Sequence, residues 1–159
     1  MPSAAESYTS FLERSGRQLR LALIATYGPE VGSEAAAEAF AYGWEHWDKV
    51  GAMVNPAGYL YRVGQSRSRR FFRARRLFRS SASFPPPVEH SEPWVEPELP
   101  AALQRLSDKQ RTAVMAVHGF HLSVREAADL LGVSASTVQQ NAERGLAHLR
   151  ESLGVEHVA

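Results

Sequence analysis

The sequence predicts an all-α protein made of two small helical domains joined by a flexible linker rich in Pro and Glu, the C-terminal domain being a helix-turn-helix. Three observations lead to this prediction. Apolar residues recur three and four positions apart in both halves, a Pro- and Glu-containing stretch separates the halves, and Ser-initiated helix starts cluster near the C-terminus. We place the first domain at residues 1–79, the linker at 80–97 and the second domain at 98–159.

Two helices are predicted before residue 50. The first covers about residues 6–27 and ends at the break formed by Gly28 and Pro29. The second covers about residues 33–49 and carries a narrow apolar face of residues spaced three and four apart: Ala37, Phe40, Trp44 and Trp47. We expect the aromatic side chains of this face to lie in the core of the domain.

A third helix is predicted from Pro56 to about Arg79, after a short loop at residues 51–54. Asn55 is the expected N-cap, and Pro56 suits the first turn. One side of this helix is basic, with Arg62, Ser66, Arg69, Arg73 and Arg76, and the other side is largely apolar, with Leu60, Gly64, Phe71, Ala74 and Phe78.

Charge is distributed unevenly along the chain, although the net charge is only +1. Residues 62–79 carry many arginines and no acidic residue, whereas residues 81–97 carry glutamates and no Lys or Arg. Unpaired like charges repel one another, so the arginine block predicts an anionic partner. We favour nucleic acid over a membrane surface because the block lacks Lys and its apolar side is expected to face the preceding helices.

The second domain carries the pattern of a helix-turn-helix. Ser123 and Glu126 form a capping-box pair, Gly132 supplies the break, and Ser134 is placed to cap the second helix. A short helix with Leu103 and Leu106 and another capping-box pattern, Ser107 to Gln110, precede it. We expect Gln139, Gln140 and Asn141 to face outward, where they can contact a major groove. An ordinary helical hairpin within a bundle is the alternative.

Several classes of protein are disfavoured by the composition. The chain has no cysteine, which excludes disulfides and thiolate metal sites. No stretch has the pattern of a signal peptide or a membrane span, so we expect a soluble, cytoplasmic protein without membrane contact. Two pairs of residues could suggest chemistry, His118 with His121 and His46 with Asp48, but neither has a third ligand or a nucleophile beside it. We therefore predict no enzyme, no catalytic residue, no metal and no cofactor.

Both halves together resemble the small two-domain sigma factors of bacterial RNA polymerase, the extracytoplasmic-function group of the sigma-70 family. The second conserved region of that family is matched by Glu38-Ala-Phe40, Trp44, Trp47-Asp48 and Asn55-Pro-Ala-Gly-Tyr-Leu-Tyr-Arg-Val63. The fourth conserved region is matched by Leu106-Ser-Asp-Lys-Gln-Arg111, with Ser107 in a position typical of Pro, and by the helix-turn-helix that follows. The resemblance covers nearly the whole chain in the family's order.

The resemblance implies core RNA polymerase and promoter DNA as partners, and it assigns residues to three surfaces. Polymerase binding falls on Glu34, Glu38, Phe40 and Trp44. Contacts to the minus-ten element, with one base turned out of the stack, fall on Lys49, Asn55, Arg62, Ser66, Arg69, Arg70 and Arg73. Contacts to the minus-thirty-five element fall on Arg125, Ser134, Ser136, Thr137, Gln139, Gln140, Asn141 and Arg144. The family also suggests a separate regulator, often an anti-sigma protein.

This chain departs from the family pattern at each surface. The acidic cluster before Glu38 is thin, and Ser66 and Arg70 stand where Asn and Asp are common. Amides at Gln139, Gln140 and Asn141 replace the usual basic residues of the recognition helix. Because amides suit bidentate contact with adenine, we expect a minus-thirty-five site rich in A·T and a shallow salt dependence.

The sequence leaves two alternative functions open. A helix-turn-helix regulator without polymerase contact would explain the second domain but not the pattern from Glu38 to Val63. A degenerate sigma-like protein that binds polymerase without initiating transcription would explain the thin acidic cluster.

Overall fold

The computed structural model describes residues 1–79 and 98–154, with residues 72–79 described by their backbone alone. Every regular element in these ranges is an α-helix or a π-helical turn, which confirms the all-α prediction. The chain divides into two compact units, Met1–Trp94 and Val95–Ala159. The predicted linker, residues 80–97, lies outside the described residues.

The first unit contains α1 (Ala4–Phe11), a π-helical turn (Leu12–Gly16), α2 (Arg17–Tyr27), α3 (Pro29–Glu45), α4 (Trp47–Val50) and α5 (Pro56–Arg79). The segments from α1 to α2 follow one another without interruption, so the helical stretch ends at Tyr27 as predicted and begins at Ala4, two residues earlier than predicted. It ends at Gly28, whose φ of 87° is reached easily only by glycine and whose N–H donates to the carbonyl of Ile24 at 2.8 Å. Pro29 then begins α3 as the first helical residue.

The second helix differs from the prediction at both ends, since α3 begins at Pro29 and stops at Glu45. The break is at His46, which has φ −120° and ψ 25°. Its ring Nδ1 lies 3.0 Å from the carbonyl oxygen of Tyr42, the group that also accepts the His46 N–H. Trp47 starts the separate short helix α4, which turns its indole into the core.

The buried face of α3 is built from small residues and not from the predicted aromatic face. Trp44 is exposed by 53% of its surface, so the prediction that it belongs to the core is wrong, and Ala37 on the same predicted face is exposed as well. The buried face packs against both α2 and α5 and consists of Val31, Gly32, Ala35, Ala36, Ala39 and Gly43. The physical reason is close helix approach: a Cβ added at Gly32 would lie 2.5 Å from the Cα of Ile24. Larger side chains there would push the helices apart.

An aromatic cluster fastens the N-terminal helix to α4. The buried ring of Trp47 lies 5.0 Å, centroid to centroid, from both Tyr8 and Phe11. The Trp47 indole N–H donates to the hydroxyl of Ser7 at 3.1 Å, so its polar atom is satisfied. Trp44 contacts this cluster only at its edge, 5.6 Å from the Tyr8 ring.

Helix α5 begins as predicted, because the side-chain oxygen of Asn55 accepts the N–H of Gly58 at 2.8 Å. Leu60 and Gly64 lie on its buried side, as expected from their spacing. That side is less apolar than predicted, since it also carries Tyr61, Gln65 and Ser68. The hydroxyl of Tyr61 lies 3.0 Å from that of buried Thr26, which explains how a polar pair can be accommodated there.

The second unit contains α6 (Leu99–Gln104), α7 (Asp108–Val114), a π-helical turn (Met115–Gly119), α8 (Val124–Leu131) and α9 (Ala135–Ser152). The predicted capping boxes at Ser107 and Ser123 are both present, each with its reciprocal Gln110 or Glu126 contact. Gly132 ends α8 in the left-handed conformation, φ 69°, and the predicted cap at Ser134 starts α9. The helix-turn-helix geometry therefore follows from local signals in the sequence.

Arg111 of α7 links this helix to α6 through buried side-chain hydrogen bonds. Its side chain is buried, and its Nε donates to the carbonyl of Leu103 at 2.9 Å while Nη2 donates to that of Leu106 at 3.1 Å. Its Nη1 bonds the carboxylate of Asp108 at 3.0 Å. A planar guanidinium therefore satisfies carbonyls at the C-terminal end of α6, which the compact ammonium of Lys cannot do in the same geometry.

We expect Gly32→Ala to lower the free energy of unfolding of the first unit by about 1–3 kcal/mol, because α2 and α3 must separate to admit a methyl group. Urea unfolding followed by tryptophan fluorescence measures it, since Trp47 is buried in this unit. Gly16→Ala is the matched control, because its new Cβ would meet nothing closer than 3.6 Å. Equal stability of the two variants would contradict the packing argument.

Arg111→Lys is expected to destabilise the second unit by about 2–3 kcal/mol, because it keeps the charge but leaves buried carbonyls without donors. Thermal unfolding followed by circular dichroism measures the change. The control is Arg105→Lys, which makes the same substitution at an exposed position of the same unit. A loss no larger than the control's would show that Arg111 acts only through its charge.

Candidate polymerase and nucleic-acid interfaces

A groove runs along the first unit between α3 and α5, with a volume of about 350 Å³. Its lining combines aromatic, hydroxyl and guanidinium groups. The residues are Tyr42 from α3 and Tyr59, Arg62, Val63, Ser66, Arg67 and Arg69 from α5. Three of these, Arg62, Ser66 and Arg69, were predicted to contact DNA, and the structure brings them into one site.

Two tyrosines form the aromatic part of this groove. The ring of Tyr42 stacks on His46, with centroids 4.1 Å apart and planes inclined by 21°. The hydroxyls of Tyr42 and Tyr59 lie 3.4 Å apart. This hydrogen bond, followed by burial, raises the pKa of Tyr59 above its ordinary value. The Tyr59 ring is thus neutral at physiological pH and offers a face on which an unstacked base can pack.

The arginine side chains of the groove differ in whether a hydrogen bond holds them in place. Arg62 is half-buried and its Nη1 donates to the side-chain oxygen of Gln65 at 2.8 Å, which fixes its position. Arg69 and Ser66 are exposed. Among the residues described, Arg69 has no side-chain partner and can turn its guanidinium toward an anion.

The arginine block is partly paired, contrary to the sequence-based prediction. Glu38 on α3 accepts from Arg67 at 3.2 Å through one carboxylate oxygen and from Arg70 at 2.9 Å through the other. The acidic partner is absent from residues 62–79 because it comes from a different helix, brought near by the packing of α3 on α5. The side chain of Arg73, another predicted DNA contact, lies outside the described side chains.

The remaining residues predicted to contact the minus-ten element lie at the loop before α5. Lys49 is exposed at the end of α4. Asn55 is half-buried, and its amide oxygen is used as the cap of α5. Between them the loop exposes Met53 and Val54, Val54 by 88% of its surface.

The four residues predicted to bind polymerase are not equivalent. Glu34 and Trp44 are exposed on α3 and have free surface for a partner. Phe40 is half-buried, and its backbone carbonyl accepts the Tyr8 hydroxyl. Glu38 is also half-buried, with both carboxylate oxygens engaged by arginines.

In the second unit, the N-terminus of α9 carries a cluster of hydroxyls. Ser134 Oγ accepts the Thr137 N–H at 3.1 Å and lies 2.8 Å from Thr137 Oγ1 and 3.2 Å from Ser136 Oγ. All three residues were predicted to contact DNA. A helix start with free N–H groups and hydroxyls is suited to binding a phosphate oxygen.

Further along α9 the predicted amide residues differ in exposure. Gln139 and Gln140 are exposed as expected, whereas Asn141 is half-buried and so only partly faces outward. The amide nitrogen of Gln139 donates to the carboxylate of Glu143 at 3.2 Å. The predicted phosphate contacts Arg125 and Arg144 are exposed on α8 and α9, respectively.

Sequence reasoning missed four residues that line the groove of the first unit: Tyr42, Tyr59, Val63 and Arg67. The signal for Tyr59 was available, because helical periodicity places it on the same side of α5 as Arg62, Ser66 and Arg69. Tyr42 could not be found in this way, since it comes from α3.

Neither histidine pair is part of a metal site in the described structure. Residues 1–79 and 98–154 contain no group of three or more His, Asp or Glu side chains placed to hold a metal ion. No helix within these ranges is both long enough and apolar enough to cross a membrane.

Comparison with protein families and sequences finds sigma factors. The family model of sigma-70 region 4 matches residues 97–149. The RNA polymerase sigma-E factor of Streptomyces avermitilis is 30% identical over 142 residues, which cover 85% of this chain and 68% of that protein. The sigma-E factor of Streptomyces antibioticus is 30% identical over 122 residues, covering 72% of this chain and 66% of the relative. This chain thus spans about two thirds of the length of these relatives.

Two solved complexes contain a chain with a similar fold. The sigma factor RpoE of Bartonella quintana, solved with the anti-sigma factor NepR, gives a TM-score of 0.71 at 19% identity, covering 94% of this chain and 98% of that chain. CnrH, solved with the cytosolic domain of CnrY, gives a TM-score of 0.63 at 22% identity, covering 97% and 96%. At this identity the likeness establishes the fold.

Proposed function

This chain belongs to the sigma-70 family of RNA polymerase sigma factors, of the extracytoplasmic-function type, and from that premise we propose that it binds core RNA polymerase and directs initiation at specific promoters. The observation that carries the proposal is the groove of Tyr42, Tyr59, Arg62 and Arg69 in the first unit. A repressor that uses only a helix-turn-helix has no need of such a groove. Because the chain spans about two thirds of its relatives, the proposal rests on surfaces that this chain itself contains.

In the first unit, the groove is suited to the minus-ten element as the duplex opens. Stacking of an unpaired base on a tyrosine contributes about 1–3 kcal/mol and depends little on the identity of the base. Arg62 and Arg69 would neutralise the flanking phosphates, and the exposed loop with Met53 and Val54 would contact the displaced strand. The Arg62 hydrogen bond to Gln65 supports this role because it orients the guanidinium before DNA arrives.

In the second unit, α9 is suited to the minus-thirty-five element. Its hydroxyl-rich start would bind phosphate, and the exposed amides of Gln139 and Gln140 would contact base edges in the major groove. Arg125 and Arg144 supply the cations on this side. Contacts through amides release no counterions, which supports the expected shallow salt dependence.

Polymerase would bind the exposed side of α3, where Glu34 and Trp44 are free. Acting with polymerase places the protein in the cytoplasm. A separate anti-sigma protein is a fitting regulator, because both structural relatives were solved with such a partner or with a cytosolic domain bound. It would compete for the same exposed surfaces.

Transcription by purified core polymerase on fragmented genomic DNA, with and without this protein, tests the proposal. We expect new RNA starts that depend on the protein and share two spaced upstream elements. Retention on core without new starts would instead favour a sigma-like protein that does not initiate. Duplex binding with neither starts nor retention would favour an ordinary helix-turn-helix regulator.

Gln140→Ala is expected to relax the preference for A·T at one position of the minus-thirty-five element, because the lost bidentate contact contributes about 1–3 kcal/mol. Selection from randomised duplexes by the holoenzyme, read by sequencing, measures the preference at each position. His148→Ala, an exposed substitution two turns further along α9, serves as the control. An unchanged site preference for Gln140→Ala would contradict the assignment.

A further inference from the structure

Glu38 pairs with two arginines of α5, an arrangement that the proposed function does not by itself explain. Resting on the proposed function, we propose that Glu38 restrains Arg67 and Arg70 in the free protein, so that these two cations become available to DNA phosphates only when core polymerase engages the carboxylate. Glu38 would thereby couple polymerase binding to DNA binding within the first unit.

The geometry of the three side chains supports a restraint. The Oε2 atom of Glu38 accepts from Arg67 Nη1 at 3.2 Å, and the Oε1 atom accepts from Arg70 Nη2 at 2.9 Å. Arg67 and Arg70 lie three residues apart on α5, so one carboxylate on α3 reaches both. Arg67 also lines the groove that contains Tyr42 and Tyr59, which places the restrained cation beside the proposed path of DNA.

The negative charge of Glu38 determines that the restraint weakens DNA binding. A phosphate that approaches Arg67 or Arg70 meets the negative charge of Glu38, and each guanidinium must leave an existing charge-assisted hydrogen bond before it can form a new one. The restraint is reversible because the site is open to water: the side chains of Glu38, Arg67 and Arg70 are 34%, 40% and 61% exposed. Ion pairs of this kind are weak enough to exchange.

Polymerase is the natural partner to release the restraint. The exposed residues Glu34 and Trp44 lie on the same helix as Glu38, and a cationic group that binds this acidic surface would compete with the arginines for the carboxylate. By linkage, the factor by which polymerase then raises DNA affinity equals the factor by which DNA raises polymerase affinity.

The test is Glu38→Gln in the full chain, with binding to a short labelled duplex of random sequence measured by fluorescence anisotropy over a range of salt. Without polymerase, the variant should bind about 2- to 10-fold tighter than the wild type, since two weak ion pairs no longer hold the arginines. The slope of log affinity against log salt should also steepen, by up to about two phosphate contacts. Core polymerase should raise the DNA affinity of the variant by a smaller factor than it raises that of the wild type, because the arginines of the variant are already released.

Glu45→Gln is the matched control, because it removes the same charge from the same helix at an exposed position that has no ion pair in the described structure. Glu38→Gln binding no tighter than this control would overturn the proposal.

In the Arg67→Ala, Arg70→Ala background, Glu38→Gln should have no effect on DNA affinity, and a persisting effect would also overturn the proposal. Thermal unfolding shows whether each variant is folded. If Glu38→Gln does not fold, the double variant Arg67→Gln, Arg70→Gln replaces it, and core polymerase must then fail to raise the DNA affinity of that double variant as it does for the wild type.

Failure of this proposal is distinguishable from failure of the general function. If the wild type is not retained on core polymerase, the general function fails and so does the coupling, whatever Glu38→Gln does to the free protein. If the wild type directs initiation and Glu38→Gln leaves free DNA affinity unchanged, the general function stands and only the role of Glu38 is wrong.

Discussion

The close approach of α3 to its two neighbours is the constraint on which the first unit depends. Apart from Val31, glycine and alanine make up its buried face, and a Cβ at Gly32 would fall within 2.6 Å of the backbone of α2. On the other side, a Cβ at Gly64 of α5 would lie 2.8 Å from a Leu23 methyl group and 3.3 Å from the carbonyl of Ala35. Helices this close have little freedom to slide or rotate, so the positions of their outer residues are set as well.

Both features of the proposed DNA surface follow from that approach. Tyr42 lies beside Tyr59 and Glu38 beside Arg67 and Arg70 only because α3 and α5 are near enough for side chains to meet across them. The small residues of α3 face inward, while Glu38 and Tyr42, four residues apart on the same helix, are half-buried beside α5. The same packing therefore brings together the two tyrosines of the groove and places the Glu38 carboxylate against Arg67 and Arg70.

The second unit depends more on local interactions than on close packing of a whole helix. The starts of α7, α8 and α9 are set by Ser107, Ser123 and Ser134, each of which accepts a backbone N–H from the residue three positions on. The backbone hydrogen bond from Ser123 lowers the pKa of Glu126, so the carboxylate that accepts this bond persists at a more acidic pH than that of an ordinary Glu. Arg111 then holds α6 against α7 through buried hydrogen bonds that reach five and eight residues back along the chain.

Much of the second unit was predictable because capping, the glycine turn and apolar spacing act within a few residues of one another. In the first unit the same kind of signal located the break at Gly28 and the cap at Asn55. It misplaced the aromatic face of α3, because a period of three and four residues marks a face without saying whether small or large residues are buried. Trp44 and Trp47 fit the same period, yet one is exposed and the other is core.

The sequence by itself determined the all-α class, the helix-turn-helix and the basic character of α5, since each depends on residues near one another in the chain. Only the tertiary structure decided which arginines are paired and which side chains form the groove. Glu38 is 29 residues from Arg67 and 32 from Arg70, and no local pattern connects them. Electrostatic pairing depends on distance in space, and that distance is set by how closely the glycines of α3 and α5 allow the helices to pack.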